Sequence, residues 1–216
     1  MKNHYRSMVI SFMGVDGSGK STLIKLLRKK LKNKFKKIRY IHLRPYIILL
    51  DKSTVQSNPH EFKFTWPMPI NLVRVFYWLI IYKFFFYFFA NKKNQIIFFD
   101  RYVYDLIIDP IRYKFNLPIQ ISRLFLKYFP EPDMYIFLNA PIKTLLKRKK
   151  ELSIKELKRQ IKSYRNILKH KKNVIFINSE KPKNKIIFYL LKKIKIAYLK
   201  KIKINSYNET KIKKKI

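Results

Sequence analysis

The chain's 216 residues, nearly half of them apolar, suit one domain of ordinary size. The absence of cysteine excludes disulfides and thiolate metal centres and accords with a reducing, cytoplasmic setting. A net charge of +38 invites an anionic partner, yet lysine outnumbers arginine 39 to 11 in a chain also rich in Ile, Phe, Tyr and Asn. That set follows A/T-rich codons, and specific base readers lean on arginine forks, so nucleic acid is not an expected partner.

The N-terminal MKNHYRSMVISFMG carries only a short apolar run, and no secretory signal is predicted from it. That run, MVISFM at 8–13, stops at a glycine and reads as a buried strand of a parallel sheet. Leu23, Ile24, Leu27 and Leu31 recur at helical spacing over 20–32. A second strand is predicted at 38–43, ended by Arg44-Pro45 because proline cannot donate to a ladder. Residues 51–69 read as a loop, and Pro67 and Pro69 suit the first turn of a helix at 70–90. Further strands are predicted at 95–99, 134–140 and 173–178, with helices at 119–128, 141–150, 154–170 and 183–201. The Lys/Ile tail, 202–216, is low in complexity and expected to fray. Strands alternating with helices predict an α/β fold: a five-stranded parallel sheet with helices on both faces, in one domain over 1–201.

Between the first strand and first helix stands Gly14-Val15-Asp16-Gly17-Ser18-Gly19-Lys20-Ser21-Thr22, which fits G-x-x-x-x-G-K-[ST]. Glycines let backbone N–H groups turn onto phosphate oxygens, and the helix that follows points its positive end at the anion. In this pattern Lys20 reaches the β- and γ-phosphates of ATP and the Ser21 hydroxyl joins the Mg²⁺ shell. An apolar strand before the motif and an amphipathic helix after it supply the context the motif needs. No N-K-x-D segment is present for a guanine nucleotide, and the chain is short for a motor, which leaves a small kinase.

Acidic residues are scarce, so their placement is informative. The third strand runs directly into FFDRYVYDLIIDP, 98–110. Ligands of open α/β sheets sit beyond the carboxyl ends of strands, so Asp100 emerges beside the phosphates. A carboxylate there can hold Mg²⁺, and Arg101 offers a planar fork to a phosphoryl group.

These pieces resemble the thymidylate kinase-like family of P-loop kinases. The likeness spans about residues 8 to 190: GVDGSGKSTL, HLRP at 42–45, NPH at 58–60, DRYVYDLIIDPIRY at 100–113, PEPDMYIFLNAP at 130–141 and RKKELSIKELKRQIKSYRN at 148–166, in that order. The resemblance implies the nucleoside monophosphate kinase fold with a mobile basic lid, here about 147–160. It implies that Lys20 neutralises the transferring group and that Asp16 meets the acceptor. Arg44 would hold the acceptor phosphate, and Arg101 would bridge donor and acceptor. Asp105 would stand on the acceptor side. Arg148, with Lys149 and Arg159, would close over ATP. It also allows a homodimer. The sequence departs from the family's pattern where Met13 replaces a glutamate and where His42-Leu43-Arg44-Pro45-Tyr46 replaces a T-R-E-P-G-G type segment. It departs again where Tyr104, Asp105 and Asp109 follow the Asp-Arg pair. The phosphate-handling half is kept and the base-reading half is changed.

The segment 70–90 is apolar nearly all round and long enough to span a bilayer. Arg74 and Lys83 oppose a span, since each costs about 2.5–3.5 kcal/mol near the bilayer centre. A mostly buried helix is therefore expected, with peripheral contact to anionic membrane as the lesser alternative. The sequence as a whole predicts an ATP- and Mg²⁺-dependent kinase acting on a small-molecule phosphate acceptor, most simply a dTMP-like nucleoside monophosphate. The alternatives are a kinase for another small acceptor, such as a nucleoside or sugar derivative, and a non-catalytic P-loop domain that grips nucleic acid or membrane.

Overall fold

The computed structural model describes residues 7–42, 65–90, 92 and 94–213. Five strands, β1 (Met8–Met13), β2 (Lys37–His42), β3 (Gln95–Asp100), β4 (Met134–Asn139) and β5 (Val174–Asn178), form one sheet in the order β2-β3-β1-β4-β5. All four pairings are parallel. Parallel neighbours need crossovers, and the helices that supply them cover both faces. These are α1 (Lys20–Leu31), α2 (Met68–Phe85), α3 (Asp105–Ile108), α4 (Ile119–Leu126), α5 (Ile142–Arg148), α6 (Ile154–Leu168) and α7 (Lys183–Lys213). A π-helical turn, Phe86–Ala90, extends α2.

Alternation along the strands sorts the core into two layers. Met8, Ile10 and Phe12 of β1 join Ile96, Phe98, Ile136 and Leu138 on one face, under Leu23, Ile24 and Leu27 of α1 and Ile186, Leu190 and Ile194 of α7. Val9 and Met13 join Ile97, Phe99, Tyr135 and Phe137 on the other, under α2, α3, α4 and α6. Because successive strand side chains point to opposite faces, an unbroken apolar run is what a sheet covered twice requires. The edge strands differ accordingly: β2 and β5 are only partly buried.

The predicted fold class and its five strands match the structure, with shifts of a residue or two at element ends. Two expectations are corrected. Helix α7 runs on to Lys213 where a frayed tail was expected from 202. The long apolar helix is not mostly buried: 17% of its apolar window lies inside the molecule. One stripe, Asn71, Arg74, Val75 and Trp78, packs inward, and the opposite stripe faces outward. The inward arginine is accommodated by acceptors. Arg74 donates to Asn71 Oδ1 at 2.8 Å and to the carbonyls of Tyr113 at 3.0 Å and Lys114 at 3.2 Å, and its guanidinium lies 5.0 Å from the Trp78 ring. Arg44, Tyr46 and most of the predicted loop 51–69 lie outside the described residues.

Helix α7 is held by a narrow inner stripe, so its residues are very unequal. Leu190→Ala, at a position with no exposure, should cost about 2–5 kcal/mol by transfer and cavity terms together. Leu199→Ala, at an exposed position, should change stability by about 0.5 kcal/mol or less. Urea unfolding of both variants measures the contrast.

Candidate active site

The carboxyl ends of the strands form one rim, and the loop after β1 is its centre. All three glycines of the chain, Gly14, Gly17 and Gly19, stand in that loop. Gly14 has φ +140°, and a Cβ there would sit 2.6 Å from the Leu138 carbonyl oxygen, so the close passage of the loop over β4 demands glycine. Gly19 has φ +96° and occupies the N-cap of α1, with no side chain capping the helix and no acidic residue in its first turn. The first N–H groups of α1 therefore keep their hydrogen-bonding capacity and the positive end of the helix dipole for an anion. Gly17, Ser18, Gly19, Lys20, Ser21 and Thr22 line a cavity of about 510 Å³, together with Asp16, His42, Asp100, Arg101, Arg112, Arg148, Lys149, Ser179 and Lys183. Val15 is buried beneath the loop.

Lys20 is buried, and its ammonium donates to the carbonyls of Gly14 at 2.7 Å and Val15 at 2.9 Å. Burial, and next the Arg101 charge, push its pKa down to about 8. The side chain is thus held folded against its own loop and gains from any anion that enters. Ser21 Oγ donates to Asp100 Oδ2 at 2.7 Å, and the Tyr40 hydroxyl donates to the same oxygen at 3.0 Å. Asp100 Oδ1 is buried with no hydrogen-bond partner. An orphaned carboxylate oxygen beside a serine hydroxyl is a hard oxygen pair suited to Mg²⁺. Among the described residues no cluster of three His, Cys, Asp or Glu offers a metal cage. Mg²⁺ at nucleotide sites takes one or two protein ligands plus phosphates and waters, so the pair fits the ion.

The register Phe12↔Asp100 places the end of β3 against the start of the loop. Arg101 follows with φ +76°, a left-handed conformation that costs a non-glycine residue free energy. It is held there at both ends. Its N–H donates to the Phe12 carbonyl at 2.9 Å, and its guanidinium donates to Asp105 Oδ1 at 3.0 Å and to Asp16 Oδ1. Asp105, expected on the acceptor, is corrected: it has no exposure, lies behind Arg101, and also accepts from the Tyr102 N–H at 3.0 Å and the Tyr164 hydroxyl. Its geometry orients the arginine and leaves it no face toward the cavity.

Asp16 is a hub that sequence reading did not foresee. Besides Arg101 it accepts from Arg112, and Lys149 Nζ stands 3.5 Å away. Burial opposes its ionisation, but Arg101, Lys20, Arg112 and Lys149 outweigh burial and hold the carboxyl far below the usual carboxylate range. Arg112 also donates to Asp109 Oδ2 at 3.0 Å, and Lys149 pairs with Glu151 at 2.8 Å. The predicted lid segment does reach the loop. Arg148, the last residue of α5, donates to the Gly17 carbonyl at 3.1 Å. Arg159 does not line the cavity. It is bound by the Glu156 carboxylate and donates to the Ile108 carbonyl at 2.6 Å, where the first turn of α6, capped by Ser153 accepting from the Glu156 N–H, meets α3. His42 and Ser179 reach the cavity at the carboxyl ends of β2 and β5, a position that the strand predictions could have flagged. Lys183 arrives from the start of α7. Lys149 stands where the lid was expected, whereas Arg112 carried no signal beyond its type.

Because the folded Asp16 carboxyl is held so low, its pairing stabilises the fold fully above the unfolded aspartate value of about 3.9 and is lost as pH falls below it. Asp16→Asn should therefore cost about 3 kcal/mol at neutral pH. The gap from the wild type should narrow steadily below about pH 4. Urea midpoints across pH measure it.

No family model matches the chain. A probable thymidylate kinase 1 of Saccharolobus solfataricus is 29% identical over 203 residues, covering 85% of this chain and 95% of that protein. A probable thymidylate kinase of Sulfolobus acidocaldarius is 29% identical over 196 residues, covering 83% and 92%. Among solved structures, thymidylate kinase from Candida albicans superposes with a TM-score of 0.62 at 19% identity, covering 91% of this chain and 94% of that one. The enzyme from Ehrlichia chaffeensis superposes at 0.54 with 16% identity, covering 88% and 99%. The structural likenesses speak for the fold, and the sequence matches run nearly end to end in both partners. With the glycine loop, Lys20 and the Asp100-Arg101 strand end in register, the chain has the fold of these thymidylate kinases and is similar in sequence to the two probable thymidylate kinases over most of its length.

Proposed function

We propose that the protein transfers the γ-phosphoryl group of ATP to a dTMP-like nucleoside monophosphate. The observation that carries this reading is the convergence of the uncapped α1 N-terminus, Lys20 and Arg101 on one cavity. Relatives named as thymidylate kinases indicate the acceptor class. In-line phosphoryl transfer asks the protein for little covalent chemistry and much positioning and charge stabilisation. The loop N–H groups and α1 seat the donor phosphates. Lys20 exchanges its contacts with the Gly14 and Val15 carbonyls for phosphate oxygens. Arg101, held by two carboxylates, faces the phosphoryl group as it passes between donor and acceptor. Arg148 and Lys149 close from the lid side and exclude water that would hydrolyse ATP. Asp16 turns from its cations toward the acceptor, and Arg44 is proposed to hold the acceptor phosphate. Ser21 and Asp100 would hold Mg²⁺, which would supply positive charge to offset the charge that develops during transfer.

Lys20→Ala should lose about 10²-fold or more in kcat while the fold and its urea midpoint persist. Arg101→Ala should lose kcat more than ATP affinity, since its charge matters most during transfer. A coupled ADP-release assay over a panel of nucleoside monophosphates, nucleosides and sugar derivatives reads both, with dTMP expected to be among the best acceptors. Turnover by Lys20→Ala at the wild-type rate contradicts the reading.

In the free protein Lys20 loses its proton as pH rises through about 8. The kcat/KM for ATP should fall above that pH by one ionisation, because the neutral amine no longer attracts phosphate. A pH profile of kcat/KM in the wild type measures it.

A further inference from the structure

Asp16 divides its two carboxylate oxygens between two guanidiniums. Arg101 Nη2 donates to Oδ1, and Arg112 Nη2 donates to Oδ2. Each guanidinium is fixed from behind by a further aspartate. Arg101 Nη1 donates to Asp105 Oδ1 at 3.0 Å, and Arg112 Nε donates to Asp109 Oδ2 at 3.0 Å. Asp105 and Asp109 are 0% and 3% exposed, so they form a fixed backing beneath the cavity. Both belong to one element, since α3 spans Asp105–Ile108 and Asp109 is its C-cap. One short helix thus aims two arginines at one point, and both arginines line the phosphate cavity. The function proposed above uses Arg101 and gives Arg112 no part.

A carboxylate shared in this way stands where a phosphate would fit, because guanidinium forks take oxygen pairs of carboxylate and phosphate alike. Arg112 also depends on that partner. Its side chain is 17% exposed, and among the described residues the other carboxylate on its Nη2 side, Glu151, stands at 3.8 Å, beyond hydrogen-bond reach. A guanidinium withdrawn from water and stripped of its partner is strongly unfavourable. A ligand that draws Asp16 away must therefore bring an anion of its own to Arg101 and Arg112. We propose that Arg112 is the second arm of a clamp that, with Arg101, holds the acceptor's phosphate, and that Asp16 fills the clamp until this phosphate arrives. The displaced carboxylate is then free to accept from an acceptor hydroxyl. The clamp narrows the acceptor to small molecules carrying both a phosphate and a hydroxyl, and disfavours nucleosides and sugars that lack a phosphate. The inference rests on the phosphotransfer reading and adds a contact residue to it.

Calorimetric titration of the full-length protein with dTMP and with thymidine, in the absence of ATP, isolates the contribution of the phosphate. The wild type should bind dTMP about 10²-fold or more tightly than thymidine. Arg112→Ala should weaken dTMP about 10–100-fold and leave thymidine unchanged, so the preference for the phosphate narrows. Arg112→Lys keeps the charge but loses the fork, and should recover only part of the preference. Asp109→Asn, which weakens the backing, should shift the ratio in the same direction by a smaller factor. Unchanged ATP affinity in these variants would show that the donor side and the fold are kept, since a general loss of structure would lower all three affinities together. A dTMP-to-thymidine ratio equal to that of the wild type in both Arg112→Ala and Arg112→Lys overturns the proposal, as does equal binding of dTMP and thymidine by the wild type. Failure of the kinase reading looks different: the wild type would prefer dTMP in the calorimeter, the preference would depend on Arg112, and no phosphoryl transfer to dTMP would follow when ATP is added.

Discussion

The arrangement of the site depends on one carboxylate held by several cations. Asp16 sits in the glycine loop, Arg101 and Arg112 come from the segment after β3, and Lys149 comes from the segment joining α5 to α6. Loop, strand end and lid are thereby tied at one point. Arg101 is kept in a left-handed backbone conformation that its own sterics oppose, and the Phe12 carbonyl and the buried Asp105 fix it from the other side. Arginine in that position is oriented before any phosphate arrives. Preorganised charge is what a loose, charge-rich transition state rewards, because no reorganisation is needed as the phosphoryl group moves.

The same clamp explains how so basic a protein keeps a defined site. With 50 Lys and Arg, nonspecific attraction of anions is strong everywhere. Selectivity therefore has to come from buried, geometrically fixed cations. Lys20 is buried and pulled toward neutrality, and Arg101 is buried and doubly paired. Surface lysines lack both properties. The scarce carboxylates are concentrated where they orient cations: Asp16, Asp105, Asp109 and Glu151 all serve arginines or Lys149. The network ties the segment joining α5 to α6 to the glycine loop through Lys149 and Asp16.

Much of the fold was legible because its signals are local. The strands read as apolar runs, and GVDGSGKST is a backbone demand written as glycines. Asp100 and Arg101 were legible because the third strand ends on them, and strand ends define the ligand side. Three features were not legible, for reasons of distance. Asp105 is a buried orienter because Tyr164, 59 positions away, and Arg101 both reach it. Arg112 meets Asp16 across 96 positions. The outward stripe of α2 looked like core because apolar residues surround that helix, and hydropathy cannot say which side the sheet takes. The half-buried cavity residues His42 and Ser179 stood at strand ends and could have been read by the same rule that found Asp100.

The central claim is that a phosphoryl group moves from ATP to a nucleoside monophosphate on this chain. Phosphorus NMR of the wild-type protein with Mg-ATP and dTMP follows the bond itself. The account predicts loss of the ATP γ-resonance matched by equal growth of ADP and of the dTDP β-phosphate. Growth of inorganic phosphate in place of dTDP, or an unchanged spectrum with ATP bound, would contradict it.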